Sequence, residues 1–499
     1  MSVVKSVAAV NPDCLVEQFH QVVQFVQRAA RTGDELMATE DVVLSSVMAL
    51  GCGLMSLFFA LQGNGDVGES VEVEGKVLTR SDDLHKRDVR TVFGEHSFDS
   101  YVYGHNLDKK IEFRPIDVRM LLPEGKFSPK FCEISHILFS EQAFERTSKT
   151  LQSIFGQPIA ASSLERISEK IGVEAENFLH EVPSPASQDE GEILVVSGDG
   201  KGVPMIRETV AKHAAFEKRE YPGNRKMATL ATVYSVDRFV RTPQQIVEAL
   251  FRDNMENPKP QRPEPIGKVV VGCMTRMEGD EPIPGDIQAF TWGAEQVKRR
   301  HQAKQPIVRL MDGQVSLWET ASICLEERPT TDILDIIHVS SYVWAAAKIF
   351  HPYREGQEWF TRDRLERILN GDVAGVISGL RQMSTKQKLC KADKATIERV
   401  CGYFEKNRYR MKYDEYLREG YPIATGVIEG ACRHLVMDRM CRTGMRWGTT
   451  GSQAMLHNRA VNQAGLTTEF HAYRGDQERQ KTKKFAQLLK GYQPHTLCG

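Results

Sequence analysis

Two apolar runs in this sequence end in the same pair of residues. GEILVVSGDG places Asp199 before a glycine, and IVRLMDG does the same for Asp312. An apolar run of this length bounded by turn residues reads as a buried strand, so each carboxylate is expected where a strand gives way to a turn at a sheet edge. Neighbouring strand ends bring two carboxylates within reach of one cation. Mg²⁺ prefers such hard oxygen ligands and keeps positions for water and phosphate oxygens. Two such ions about 4 Å apart clamp the attacking and leaving oxygens of a phosphodiester during in-line displacement. A helix must supply a third carboxylate, and Glu429 in TGVIEGACRHL is the candidate. Taken singly, each acid has a plainer reading. Asp-Gly is a favoured turn pair, and a glutamate near a helix start compensates the helix dipole.

The elements around these acids must bring them together. Residues 192–199, 227–237, 267–274, 307–312 and 332–338 read as five strands. A helix is expected over 286–301, with Ile287, Phe290, Ala294 and Val297 on one face, and a second in SLWETASICLEE between the fourth and fifth strands. Everything from Val339 to about Gly420 reads as helical, and a last helix begins near Gly426 and carries Glu429. The order is three strands, helix, strand, helix, strand, a helical insertion and a helix. That is a mixed α/β class, an RNase H-like catalytic core with an α-helical insertion, preceded by a mainly helical N-terminal DNA-binding region. The gap between Asp312 and Glu429 exceeds what one strand and one helix require, which the insertion accounts for.

The expected organisation is a helical N-terminal region over 1–80, a small β-rich element over 81–125 and a helical region over 126–180. The core follows over 190–338, the insertion over 339–420, the Glu429 helix over 421–465 and a basic tail over 466–499 around Lys481, Lys483 and Lys484. EVPSPASQDEGE (181–192) is the clearest linker. Within 140–172 two amphipathic runs flank a Gly-Gln-Pro turn. Ser162 is placed to cap the second, whose Leu164, Ile167 and Ile171 share a face. This pattern fits a helix-turn-helix with its second helix in the major groove, and equally a plain pair of packed helices.

Composition bounds the partners. With 65 Lys plus Arg against 66 Asp plus Glu, global charge gives no argument for nucleic acid, and phosphate contacts have to come from local basic patches. The ten cysteines are scattered with no CxxC pair, which points away from a disulfide framework or zinc ribbon and toward free thiols in a reducing cytoplasm. The start MSVVKSVAAVNPD is too polar for a secretory signal. Val42 to Leu61 carry no charge for 20 positions, long enough to span a bilayer. Internal Ser and Gly and the missing basic flank favour a buried helix in a helical domain, with no membrane partner expected.

Candidate DNA contacts cluster after Glu429. Arg433, Arg439, Arg442 and Arg446 are opposed in that stretch only by Asp438, and the last three share a helical face if the helix persists. A solvated face with scattered ion pairs is the alternative. Trp447 is placed either to stack on a base or to plug the helix onto the sheet. Lys298, Arg299 and Arg300 are further candidates, as are Arg408, Arg410 and Lys412. His338, after the fifth strand, is placed to approach the metal site or a phosphate, or to serve as a structural histidine.

Four blocks carry a resemblance: GEILVVSGDGKGVPM, IVRLMDGQVSLWETA, DILDIIHVSSYVWAAAKIF and GYPIATGVIEGACRHLVMDRMCRTGMRW. Together, across roughly 85–465, they resemble the ISKra-type family of bacterial insertion-sequence transposases. The resemblance implies a DDE transposase whose triad falls on Asp199 in the DG-x-GVPM block, Asp312 in the DG-x-x-x-x-W block with Trp318 also matching, and Glu429 in the G-x-IEG block. It implies Mg²⁺, with Mn²⁺ as substitute and two ions bound. Asp199 would bridge both, with Asp312 and Glu429 holding one each. Its implied partners are double-stranded DNA, as transposon ends with terminal inverted repeats and as target, and a second copy of the chain. The implied location is the nucleoid of a bacterial cytoplasm. The chain departs from the family upstream of the core, where cysteine pairs are common and HKRDVRTVFGEHSFDSYVYGHN has none. His85, His96 and His105 make a poor tetrahedral site, and no structural zinc is expected.

Overall fold

The computed structural model describes residues 12–106, 110–206, 224–252, 261–326 and 328–494. Its contacts divide the chain into two units, residues 1–170 with 466–499 and residues 171–465.

The first unit opens with two helices, α1 (Pro12–Thr32) and α2 (Leu36–Ala60). Two small antiparallel pairings follow. β1 (Ser70–Val73) pairs with β2 (Lys76–Arg80), which also borders β5 (Tyr103–Gly104), and β3 (His85–Thr91) pairs with β4 (Gly94–Ser100). Helices α3 (Pro115–Met120), α4 (Pro129–Glu141) and α5 (Phe144–Phe155) come next, and the division between the units falls within α6 (Ala161–Glu181). In α6 the face read from the sequence is the buried one, with Leu164, Ile167 and Ile171 all inside. The helix starts at Ala161, so Ser162 lies in its first turn and is not the cap. The expectation for α2 fails. Its strongly apolar window is only 6% buried, Phe59 alone of its residues is buried, and Leu44, Val47 and Leu54 are about half exposed. By length and composition this helix could cross a membrane.

The second unit is built on five strands: β6 (Ile193–Pro204), β7 (Arg225–Val236), β8 (Ile266–Met274), β11 (Ile307–Met311) and β12 (Thr330–Leu334). A hairpin of β9 (Arg276–Glu278) and β10 (Glu281–Ile283), which the sequence did not suggest, separates β8 from β11. The sheet order is β12-β11-β6-β7-β8. The first three strands run antiparallel to one another in turn, and β11 and β12 lie parallel to β6. This is the order and orientation of an RNase H-like sheet, in a chain of the mixed α/β class.

Both faces are covered, as the nearly continuous apolar strands require. On one face lie α7 (Pro243–Phe251) and the insertion helices α8–α12, with α8 over Ile336–Phe350, α9 over Arg354–Leu369, α10 over Val373–Lys386, α11 over Lys391–Asn407 and α12 over Tyr413–Arg418. Ile193, Val195, Val308, Leu310 and Ile333 share one core with Val339, Val343, Phe360, Leu380 and Phe404 from these helices. The tyrosines of α12 fasten the insertion to the sheet edge, Tyr413 donating to the Leu334 carbonyl at 2.7 Å and Tyr416 to that of Asp332 at 3.0 Å. The opposite face carries the helix Gly285–Arg300, whose Phe290, Trp292 and Val297 are buried.

Candidate metal centre

The site begins with strand register. Side chains alternate along β6, so Asp199 continues the row of Ile193, Val195 and Ser197 toward the insertion face. In the parallel pairing, Val308 stands opposite Val195 and Arg309 opposite Val196. Carried three residues further, this register sets Asp312 level with Asp199. On its other side β11 pairs Met311 with Leu334, and the Asp335 N–H donates to the Met311 carbonyl at 2.9 Å. Asp335 therefore stands level with Asp312. Asp199 within β6 and Asp312 and Asp335, each the first residue after β11 and β12, thus fall at one level, just beyond the paired stretch of the three parallel strands.

The two Asp-Gly pairs are not equivalent. β6 does not stop at Asp199 but continues to Pro204, paired only with β7, with Asp199 opposite Leu230. The expected turn is absent there. What the strand needs is Gly198, where a Cβ would sit 2.5 Å from the Phe290 ring. β11 does end before Asp312, and Gly313 makes room for the ring of Tyr403. The Trp318 indole N–H donates to the Asp312 carbonyl at 2.5 Å, so this buried tryptophan fixes the backbone that carries the acid.

The fifth strand is shorter than the expected 332–338. It ends at Leu334, and Asp335 caps α8 by accepting from the N–H groups of Ile337 and His338 at 3.2 and 3.1 Å. An apolar strand followed by an apolar helix has no break in hydropathy, and this hid the boundary. Asp335 is fully buried. It also accepts from the Thr425 N–H at 3.0 Å and bonds the Nδ1 of His338 at 3.0 Å. One carboxylate thus ties the start of α8 to the turn that begins the helix of Glu429.

That helix spans Gly426–Ala431 and widens into a π-helical stretch over Cys432–Met437, an irregularity frequent at functional sites. Glu429 accepts from the Thr425 hydroxyl at 3.2 Å. Three residues on, the buried Cys432 thiol donates to Asp199 Oδ2 at 3.1 Å. Asp335, His338 and Glu429 each offer a ligand atom within 4.8 Å of the others, and His338 Nε2 is 4.0 Å from Asp312 Oδ2. Sequence reasoning missed Asp335 and Cys432. The only signals were an aspartate three residues before His338 and a cysteine one helical turn after Glu429.

The electrostatics are those of crowded acids. Burial pushes the Asp312 carboxyl above its usual range and the charges of Asp199 and Asp335 push it further, while the Gln314 N–H and His338 oppose the shift. The hydrogen bond to Asp335 raises the His338 pKa against burial, aided by the charges of Asp335, Asp312 and Glu429. Burial first, then the Asp199 charge, holds Cys432 firmly as a thiol. Among the described residues none of Asp199, Asp312, Asp335 or Glu429 forms an ion pair with lysine or arginine. Several carboxylates gathered without such a countercharge fit a divalent cation, and Asp199, Asp312 and Glu429 offer it hard oxygen donors.

The expected DNA contacts divide. The helix after Glu429 ends at Met440, so Arg439, Arg442 and Arg446 do not form a stripe. Arg439 is buried, with its guanidinium 5.2 Å from the Trp447 ring centroid. Trp447 is buried too. Its indole donates to the Met440 carbonyl at 3.0 Å, and its backbone pairs with the end of β6 through Pro204 and Ile206. It plugs the loop onto the sheet and is not open to a base. Arg300 is buried in a bidentate pair with Glu190 at 2.7 and 2.8 Å and also donates to the Gly267 carbonyl, so it holds the fold together. Lys298, Arg299, Arg433, Arg442 and Arg446 remain exposed. Arg410 lies over the Trp318 ring at 3.9 Å.

No family profile matches the sequence, and no curated protein does. Among solved structures the chain is similar to one from a Drosophila P element transposase strand transfer complex. The identity is 10%, over 74% of this chain and 92% of that one, with a TM-score of 0.24. A superposition that loose carries no weight for fold or chemistry.

Proposed function

We propose that this chain catalyses divalent-metal-dependent phosphoryl transfer on double-stranded DNA as a transposase. Asp199, Asp312 and Glu429 are its metal-binding acids. The observation that supports this most is the register that sets Asp199 and Asp312 level on adjacent strands of an RNase H-like sheet. Glu429 is linked to both, through Cys432 on one side and His338 on the other, and among the described residues no lysine or arginine pairs with them. When bound, Mg²⁺ or Mn²⁺ supplies charge neutralisation for the attacking and leaving oxygens. The chain's own part is to hold three carboxylates in place on rigid elements before the substrate arrives.

The joining step rests on the sequence resemblance. Water cleaves a phosphodiester at the element's end to a 3′-OH and a 5′-phosphate, and that 3′-OH then attacks a target phosphodiester and displaces the target's own 3′-oxygen, so no covalent protein–DNA bond is needed. Exposed Lys298, Arg299, Arg433, Arg442 and Arg446 are the candidates for backbone phosphates. A second copy of the chain is proposed as partner, because an element has two ends, and the bacterial nucleoid as location. The test is to incubate purified protein with a pre-cut end, target DNA and Mg²⁺ or Mn²⁺. Joined product is expected. Cleavage of an uncut end without joining would leave a nuclease, and neither reaction would leave a DNA-binding protein.

A further inference from the structure

We infer that His338 is a nitrogen donor to one cation of this site, oriented by Asp335, so that this cation position holds a mixed nitrogen–oxygen ligand set. The inference rests on the reading of Asp312 and Glu429 as metal ligands and adds to it a residue outside that triad.

The geometry is specific. His338 sits in the first turn of α8, with Nδ1 bonded at 3.0 Å to an Asp335 carboxylate that is completely buried. The ring is therefore held in one orientation, and Nε2 is the nitrogen left for the site. This is the carboxylate–histidine arrangement that fixes the tautomer of metal-bound imidazoles and raises their basicity. Nε2 lies 4.0 Å from Asp312 Oδ2, too far for a hydrogen bond. Two donors each about 2.1 Å from one ion lie at most about 4.2 Å apart, so the separation suits two ligands of one cation. A Glu429 oxygen lies within 4.8 Å of a ring nitrogen of His338 and of an Asp335 oxygen. Asp335 itself has both oxygens engaged by Ile337, His338 and Thr425. It is a positioning residue, and His338 and Asp312 are the donors, with Glu429 beside the ring.

The consequence is metal preference. Carboxylates and water suit Mg²⁺, whereas imidazole binds later first-row ions more readily, with Mn²⁺ the member of that series closest to Mg²⁺ in oxygen chemistry. Asp199 with Asp312 makes an oxygen-only position. Asp312 with His338, and Glu429 beside that ring, makes one that favours Mn²⁺, so the acid shared between the two positions is Asp312 and not Asp199 as the resemblance implies.

Pulsed electron paramagnetic resonance of Mn²⁺ bound to the full chain tests this without any turnover. The expected result is a ¹⁴N coupling from a directly bound imidazole, which disappears in His338→Ala while Mn²⁺ still binds. In Asp335→Asn the coupling should persist with Mn²⁺ affinity lowered roughly 10–100-fold. The preference for Mn²⁺ over Mg²⁺, read by competition, should narrow about tenfold or more in His338→Ala. Bound Mn²⁺ with no ¹⁴N coupling in the wild-type chain would overturn the role of His338 and leave the carboxylate site standing. No Mn²⁺ binding at all would overturn the carboxylate reading as well.

Discussion

Cys432 shows what a single residue adds to this site. Its thiol is buried against Asp199 and kept protonated by burial and by that carboxylate's charge. Since the thiolate is the reactive form, maleimide at pH 8 is expected to label exposed Cys14 and Cys390 at least about 100-fold faster than Cys432. Peptide mapping after timed labelling gives the ratio, and equal rates would contradict the burial. Cys432→Ser keeps a donor to Asp199. Cys432→Val removes it and should weaken Mn²⁺ binding by about 10-fold, as for other residues that orient a ligand. Asp199 and Asp312 were legible in the sequence because each closes an apolar run before a glycine. Asp335 was not, because its strand and its helix are both apolar and the aspartate between them looks like a strand interruption. Glu429 depended on block resemblance, since an insertion of five helices separates it from the strands.

At the scale of elements, hydropathy located the strands well and predicted surfaces poorly. The strands of the main sheet begin close to where the apolar runs placed them, since a strand covered on both faces must be apolar throughout, whereas β6 runs on past Asp199 to Pro204 and the second half of the fifth run is helix. The same apolarity misplaced α2, which composition alone cannot assign to a core, a partner or a bilayer. Leu44→Ser and Leu54→Ser are each expected to change unfolding stability by less than about 1 kcal/mol, as for other exposed sites. Losses of 2–5 kcal/mol in denaturant titrations would restore the buried-helix reading. Charge runs misled in the opposite sense. Lys298, Arg299 and Arg300 look alike in sequence, but Arg300 turns inward to Glu190. Arg300→Ala should cost about 3–5 kcal/mol, the usual result of orphaning one member of a buried pair. Lys298→Ala should leave stability unchanged and reduce the salt dependence of DNA binding. Gly313→Ala forces a methyl against Tyr403 and should cost about 1–3 kcal/mol, read in the same titrations.

At the scale of the whole molecule, pH reaches the first unit through its histidines. The catalytic candidate lies entirely within residues 171–465. The first unit holds buried His96 and half-buried His471 as neutral rings. His96, between Ser56 and Thr91, is pushed down to about 4 by burial, and His471, beside His136, to about 2 by burial and that neighbour. Both lie below the ordinary 6.5, so the unfolded chain takes up protons first as pH falls. The first unit's stability should be complete above about pH 6.5 and decline as pH drops toward 4. Calorimetry across that range should show its Tm falling, and a flat Tm would contradict the burial of these rings. The central claim is that Asp199, Asp312 and Glu429 act as one metal site on DNA, and it is tested most directly by end cleavage in Mg²⁺ or Mn²⁺ with single amide variants. Wild-type protein should release a 3′-OH end only with divalent metal. Asp199→Asn, Asp312→Asn and Glu429→Gln should each lose at least about 1,000-fold in rate while binding DNA normally. Cleavage that persists in Asp199→Asn, or that survives chelation, would contradict it.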